Sequence, residues 1–205
     1  MQAARRSRII LPPMLRPPES LSGIRVIPPR SFPDERGYLL EAWRRSELER
    51  LGIEAEFRQA IQSCSRRGVV RGLHFQFNPP QGKLIRCIAG RIWDVVVDIR
   101  HDSPTLGDHM VLELSATNMV SLWAPAGFAH GFMTLEDDSV VYYLCTAEWT
   151  PRGEGAILWN DPALGIAWPD LTPILSAKDR KAAPLARWLE DRRSRAFTIS
   201  ARASS

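Results

Sequence analysis

At 205 residues, 44% hydrophobic and 24% charged, the chain has the size and composition of one soluble globular domain with a real core. Its 27 Lys and Arg against 23 Asp and Glu leave a net charge of +4, which suits an anionic small ligand but falls short of a nucleic-acid footprint. The apolar runs are too short to span a bilayer, and Cys64, Cys87 and Cys145 have neither disulfide-framework nor zinc spacing, so reduced thiols in the cytoplasm are expected.

Along the chain, residues 1–21 are rich in Arg and Pro and lack acids until Glu19. The Ile9-Ile10-Leu11 run stops at Pro12, too early for a secretion signal, so this stretch is expected to be a flexible extension. Pro28, Pro29 and Pro33 keep the next part extended or turned. A short helix is expected from a Ser46 cap to Gly52. Short β-rich runs then follow at 68–70, 83–88, 92–99, 110–114, 120–123 and 139–143. Turn signals such as Ala89-Gly90, Asp102-Ser103-Pro104 and Pro125-Ala126-Gly127 separate them, the pattern of a sandwich or closed barrel. Residues 182–193 are expected to form a final helix, and 191–205 a loose basic tail. The organisation read here is one all-β domain over 22–190 with short flanking helices.

Several polar groups interrupt this apolar pattern. Arg71 and His74 stand three residues apart beside Val69, Val70 and Phe75. Lys83 opens an apolar strand, His130 follows a Pro-Ala-Gly turn, and Tyr142-Tyr143 end a β-branched run. Each has an ordinary role when taken singly: a hydrogen-bonded structural His, a Lys reaching for water, a packed Tyr with a tethered hydroxyl. No two of His74, His101, His109 and His130 are spaced two or four apart, and no Glu completes a cluster, so no metal is expected.

Taken together the residues form an ordered series: FPDERG at 32–37, GVVRGLHFQ at 68–76, QGKLIR at 81–86, WDVVVDIR at 93–100 and SPT at 103–105. PAGFAHGF at 125–132, LWNDP at 158–162 and LSAKD at 175–179 complete it. This series closely resembles the dTDP-4-dehydrorhamnose 3,5-epimerase family over residues 22–179. The resemblance implies a cupin-like jelly-roll β-barrel, a homodimer exchanging N-terminal strands, and a dTDP-linked nucleotide sugar as substrate. It also implies epimerisation at C3 and C5 of a 4-keto-6-deoxyglucose without a cofactor, on a path to dTDP-L-rhamnose.

By match to the family, His74 is the general base, Asp179 its carboxylate partner, Tyr143 the acid on the opposite face, and Lys83 the cation near the 4-keto oxygen. Arg71 and His130 match active-site positions, and Gln59 and Trp149 fall at substrate-binding positions. Arg36 and Glu41 match positions that reach the neighbouring subunit's nucleotide. The chemistry agrees with these roles. A hydrogen α to a ketone is removable because its charge spreads onto the carbonyl oxygen. Inversion then needs a base on one face and a proton donor on the other. Histidine titrates near neutrality, a carboxylate fixes its tautomer, and a Lys in a water-poor site stabilises an enolate.

Ile61, where family members often carry Asn, and Leu144, Glu148 and Trp149, where Lys and a Tyr pair are common, depart from the pattern. Three other readings remain at this stage: an epimerase acting on one carbon of a related sugar, a non-catalytic sugar-binding barrel, and a metal-dependent cupin oxygenase. The complete set of His74, Asp179, Lys83 and Tyr143 favours proton chemistry over the binding barrel, and the missing metal ligands disfavour the oxygenase.

Overall fold

A computed structural model describes residues 21–199. In chain order it contains β1 (Arg25–Ile27), β2 (Arg30–Asp34), β3 (Gly37–Glu41), α1 (Arg45–Arg50), β4 (Gln59–Ser65) and β5 (Val69–Gln76). There follow β6 (Lys83–Ala89), β7 (Arg91–Asp98), β8 (His109–Ser115), β9 (Ser121–Ala124), β10 (Phe128–Thr134) and β11 (Ser139–Cys145). The chain closes with β12 (Glu154–Ala156), β13 (Ile174–Leu175), α2 (Ala177–Arg180), α3 (Leu185–Glu190) and a 3-10 helix (Arg192–Phe197).

The strands build two facing sheets. One runs β1-β9-β6-β11-β4; the other runs β12-β5-β10-β7-β8, with β13 added in parallel beside β5. Every other pairing between these named strands is antiparallel, and β2 and β3 form a separate hairpin. This is the expected all-β, cupin-like jelly roll with short flanking helices.

Alternation along the strands fills the space between the sheets. Ile85, Cys87, Leu122 and Val141 from one sheet meet Ile92, Val96, Leu112 and Phe132 from the other, all nearly inaccessible to solvent. The opposite faces are covered too, which explains why β7 reads as an almost unbroken apolar run. Its Val95 and Val97 point outward, under Leu185 and Trp188 of α3 and under Phe197. Leu48 of α1 and Ile53 cover Leu84 and Trp123 on the outside of the other sheet.

Three local expectations change. The first helix is present, but its N-cap is Arg44, with no side-chain cap, rather than Ser46. The expected helix over 182–193 is shorter and broken: Pro184 sets its start and Asp191 leaves helical geometry (ψ 129°). The Asp191 side chain then accepts from the Arg193 N–H and caps the 3-10 turn instead. That turn is packed rather than loose. Phe197 is 4% exposed, its ring 6.0 Å from Phe75 and 6.3 Å from Trp188, because the outer face of β5 and β7 needs an apolar cover. At the other end Leu21 is buried within the main core, and the remainder of the expected extension, 1–20, lies outside the described residues.

Candidate active site

The outward cover leaves one end of the inter-sheet space unfilled, and a cavity of about 210 Å³ opens there. Its walls come from both sheets: Arg71, His74 and Gln76 of β5 and His130 of β10 on one side, Lys83 of β6 and Tyr143 and Cys145 of β11 on the other. Register fixes the assembly. His74 lies opposite His130 across the β5–β10 ladder, and Lys83 opposite Cys145 across β6–β11. Gly72 and Gly131 make the first pairing possible, since a Cβ on Gly72 (φ +126°) would lie 2.5 Å from the Gly131 Cα.

His74 Nε2 lies 2.6 Å from Oδ1 of Asp179, a carboxylate brought in from α2 and 3% exposed. Burial alone would raise the Asp179 carboxyl, but the hydrogen bond and charge of His74, with the Ser176 hydroxyl, hold it below the usual carboxylate range. On the facing wall, burial pushes the Tyr143 phenol up, so it stays a proton donor rather than a tyrosinate at neutral pH. Burial pulls the Lys83 ammonium down, and the nearby Cys145, Glu154 and Asp94 only partly offset this. Beside Tyr143, with ring centroids 5.9 Å apart, stands His130, whose Nε2 is 2.8 Å from the fully buried Asp94.

Arg71 lines the cavity and is held by its Nε donating to Ser65 Oγ at 3.0 Å. Gln59 does not line the cavity; its side-chain oxygen accepts from the Trp149 N–H at 2.8 Å and fastens that residue at the mouth. Trp149 stands there 51% exposed, and Ile61 lines the same rim. Arg36 and Glu41 are not brought to this cavity in their own chain. Arg36 projects from the β2–β3 hairpin paired with Asp34 at 2.6 Å, and Glu41 pairs with Arg30 and Arg44.

Geometry adds residues that the sequence reading passed over. Glu154 lines the cavity and pairs with Lys178 at 2.6 Å. Burial raises its carboxyl, but Lys178, with Trp149 and His74, holds it below the usual carboxylate range. Asp94, Ser176 and Ser63 are also new. The Ser63 hydroxyl lines this region beside the Tyr143 phenol. An acidic residue inside the apolar run Trp93-Asp94-Val95 was a usable signal for Asp94. Glu154, between Gly153 and Gly155, looks like a turn residue. Among the described residues, no group of three His, Cys, Asp or Glu side chains is placed to hold a metal ion.

A jelly-roll barrel whose two sheets bring a histidine–carboxylate pair and a buried phenol to one cavity has the parts that a proton-transferring carbohydrate epimerase requires. Comparison with known proteins agrees: the sequence model for dTDP-4-dehydrorhamnose 3,5-epimerase matches residues 18–187, and the chain belongs to that family. The dTDP-4-dehydrorhamnose 3,5-epimerase of Methanothermobacter thermautotrophicus is 45% identical over 171 residues, 81% of this chain and 91% of that protein. Among solved structures, the Legionella pneumophila 3,5-epimerase in complex with dTDP-4-keto-L-rhamnose is 41% identical with a TM-score of 0.77, covering 80% of this chain and 88% of that one. The 4-keto-6-deoxy sugar epimerase from the novobiocin cluster of Streptomyces spheroides superposes with a TM-score of 0.83 at 34% identity, covering 89% and 92%.

Proposed function

We propose that this chain is the 3,5-epimerase that converts dTDP-4-keto-6-deoxy-D-glucose to dTDP-4-keto-L-rhamnose by proton abstraction α to the ketone. The observation that carries the reading is the opposition of the two walls: His74 stands on one sheet and Tyr143 on the other, with the cavity between them. The family relationship supports the same reaction.

In this reading His74 removes the α-hydrogen, and Asp179 stabilises the imidazolium that forms. Lys83 faces the developing enolate oxygen, where low dielectric strengthens its charge. Tyr143 returns a proton from the opposite wall, which inverts the centre. Repetition at the second α-carbon gives the double epimer, and no redox step is needed because the product is an isomer of the substrate. Arg71 and His130 hold the sugar or diphosphate, while Gln59 sets Trp149 as a face on which the thymine stacks.

Arg36 and Glu41 serve the neighbouring subunit's site in a homodimer with exchanged N-terminal strands. Support comes from the β2–β3 hairpin, which exposes Phe32, Tyr38 and Leu39 (66% for Leu39) and keeps both polar residues out of its own cavity. Residues 22–190 are read as the catalytic domain, with the 3-10 turn as its outer cover. A cytoplasmic location fits the free thiols of Cys64, Cys87 and Cys145, and no described helix is long and apolar enough to cross a membrane.

A coupled assay tests the reading: dTDP-4-keto-6-deoxyglucose, the protein, and a reductase that accepts only the 4-keto-L-rhamnose product. Oxidation of the nicotinamide cofactor dependent on this protein is the expected result. Accumulation of a singly inverted sugar would instead assign a mono-epimerase.

A further inference from the structure

Two histidine–carboxylate pairs share the cavity, and they differ in how the carboxylate is completed. Asp94 binds His130 through Oδ2 at 2.8 Å, while its Oδ1 is buried without a hydrogen-bond partner. Asp179 binds His74 through Oδ1 at 2.6 Å, and its Oδ2 accepts from the Ser176 hydroxyl at 2.8 Å. The same Ser176 oxygen accepts from the Asp179 backbone N–H at 3.0 Å. One hydroxyl can do both, since it has one proton to donate and lone pairs left to accept.

This arrangement settles the plane of the carboxylate. With both oxygens engaged, Asp179 cannot turn about its side-chain bonds without breaking a charge-assisted bond. The supporting element cannot supply that rigidity alone, because α2 has only four residues, far too few to be stable by itself. It is instead pinned at several points. β13 lies beside Val69 and Val70 of β5, Lys178 grips Glu154 of β12, and Ser176 clasps Asp179 itself.

We propose that Ser176 is a positioning residue for the base: its hydroxyl holds the Asp179 carboxylate in the orientation that aims the His74 imidazole into the cavity. The proposal rests on the reading of His74 as the base. Ser176 acts through Asp179 and does not touch substrate. Removing the hydroxyl takes away the side-chain donor to Oδ2 and frees the carboxylate to rotate.

The test compares the full-length protein with Ser176→Ala and Ser176→Thr, the second keeping both the hydroxyl and the capping chemistry. Two quantities are read: steady-state epimerisation of dTDP-4-keto-6-deoxyglucose, and the downfield NMR signal of the ring proton in the His74–Asp179 hydrogen bond, identified by its absence in His74→Ala. Ser176→Ala is expected to lower kcat by about ten- to a hundred-fold with KM within about twofold, the signature of a lost orientation rather than lost binding. The ring-proton signal is expected to broaden away or move upfield, and Ser176→Thr to restore both. An unchanged kcat and signal in Ser176→Ala overturns the proposal, as does a Thr variant as impaired as the Ala variant. A signal moved by Ala and restored by Thr in a protein that turns over no sugar would uphold the positioning role and reject the 3,5-epimerase reading.

Discussion

His74 and His130 stand opposite each other on paired strands, and the roles given to them here differ because their surroundings differ. His74 is partly open to the cavity, with a side-chain exposure of 26%, and has a completed carboxylate behind it; His130 is 4% exposed. A base needs access to the carbon it deprotonates, so replacing His74 with Ala is expected to abolish hydrogen exchange from the substrate while leaving the thermal unfolding curve in place. Removal of a poised base costs on the order of 10²–10⁴-fold, and a His74→Ala variant that exchanges near the wild-type rate would contradict the assignment. Tyr143→Phe is expected to act differently: exchange survives better than net inversion, because abstraction from the His74 face needs no donor opposite. Side-by-side measurement of deuterium uptake and product stereochemistry separates the two steps. A Lys, a His or an Arg inside a β-branched run is conspicuous in the sequence, but their joint roles, and Asp179 altogether, come only from the family resemblance. Glu154 and Ser176 are not conspicuous. Glu154 reads as a turn residue, and only the tertiary fold sets it beside Gln76; Ser176 reads as an ordinary helix cap of Asp179, whose place behind His74 only the fold shows.

Most strands were legible for the same physical reason: alternating or doubly covered apolar runs separated by Gly, Pro, Asn and Asp turns. The errors fall where long-range packing overrides local preference. The last helix ends early because Asp191 caps a new turn, and that turn is held by Phe197 on the outer core. Phe197→Ala is therefore expected to destabilise the protein by about 3–5 kcal/mol, measured by denaturant unfolding, whereas a loose tail would leave stability unchanged. The end of β7 carries a second element-level prediction. Asp98 is fully buried; burial raises its carboxyl, but Arg100, Ser103 and Thr105 donate to it and hold it below the usual carboxylate range. A carboxyl whose folded value is depressed contributes stability that is fully present above its unfolded value of about 3.9 and is lost as pH falls through the lower folded value. Unfolding midpoints are thus expected to fall steeply below about pH 4 in the wild type and less steeply in Asp98→Asn. Parallel slopes for the two proteins would remove Asp98 from the account.

For the molecule as a whole, the hairpin β2–β3 is the part that a single chain leaves unexplained. Among the described residues its two strands pair only with each other, and Arg36 stands with its side chain 84% exposed. Exchange of this hairpin between subunits predicts complementation. A His74→Ala chain and an Arg36→Ala/Glu41→Ala chain, each impaired alone, are expected to recover activity when co-expressed, since one mixed site then has a native base and a native hairpin. Absence of recovery in a verified mixed dimer would show that the hairpin serves its own chain. The sequence suggested this arrangement only through family resemblance, since no local pattern states which subunit a strand will serve. The central claim, acid–base epimerisation at both carbons flanking the ketone, is tested most directly by NMR of dTDP-4-keto-6-deoxyglucose incubated with the protein in D₂O. The account predicts loss of both the C3 and C5 proton signals, with none lost when His74→Ala is used. Exchange confined to one carbon, or equal exchange without His74, would contradict it.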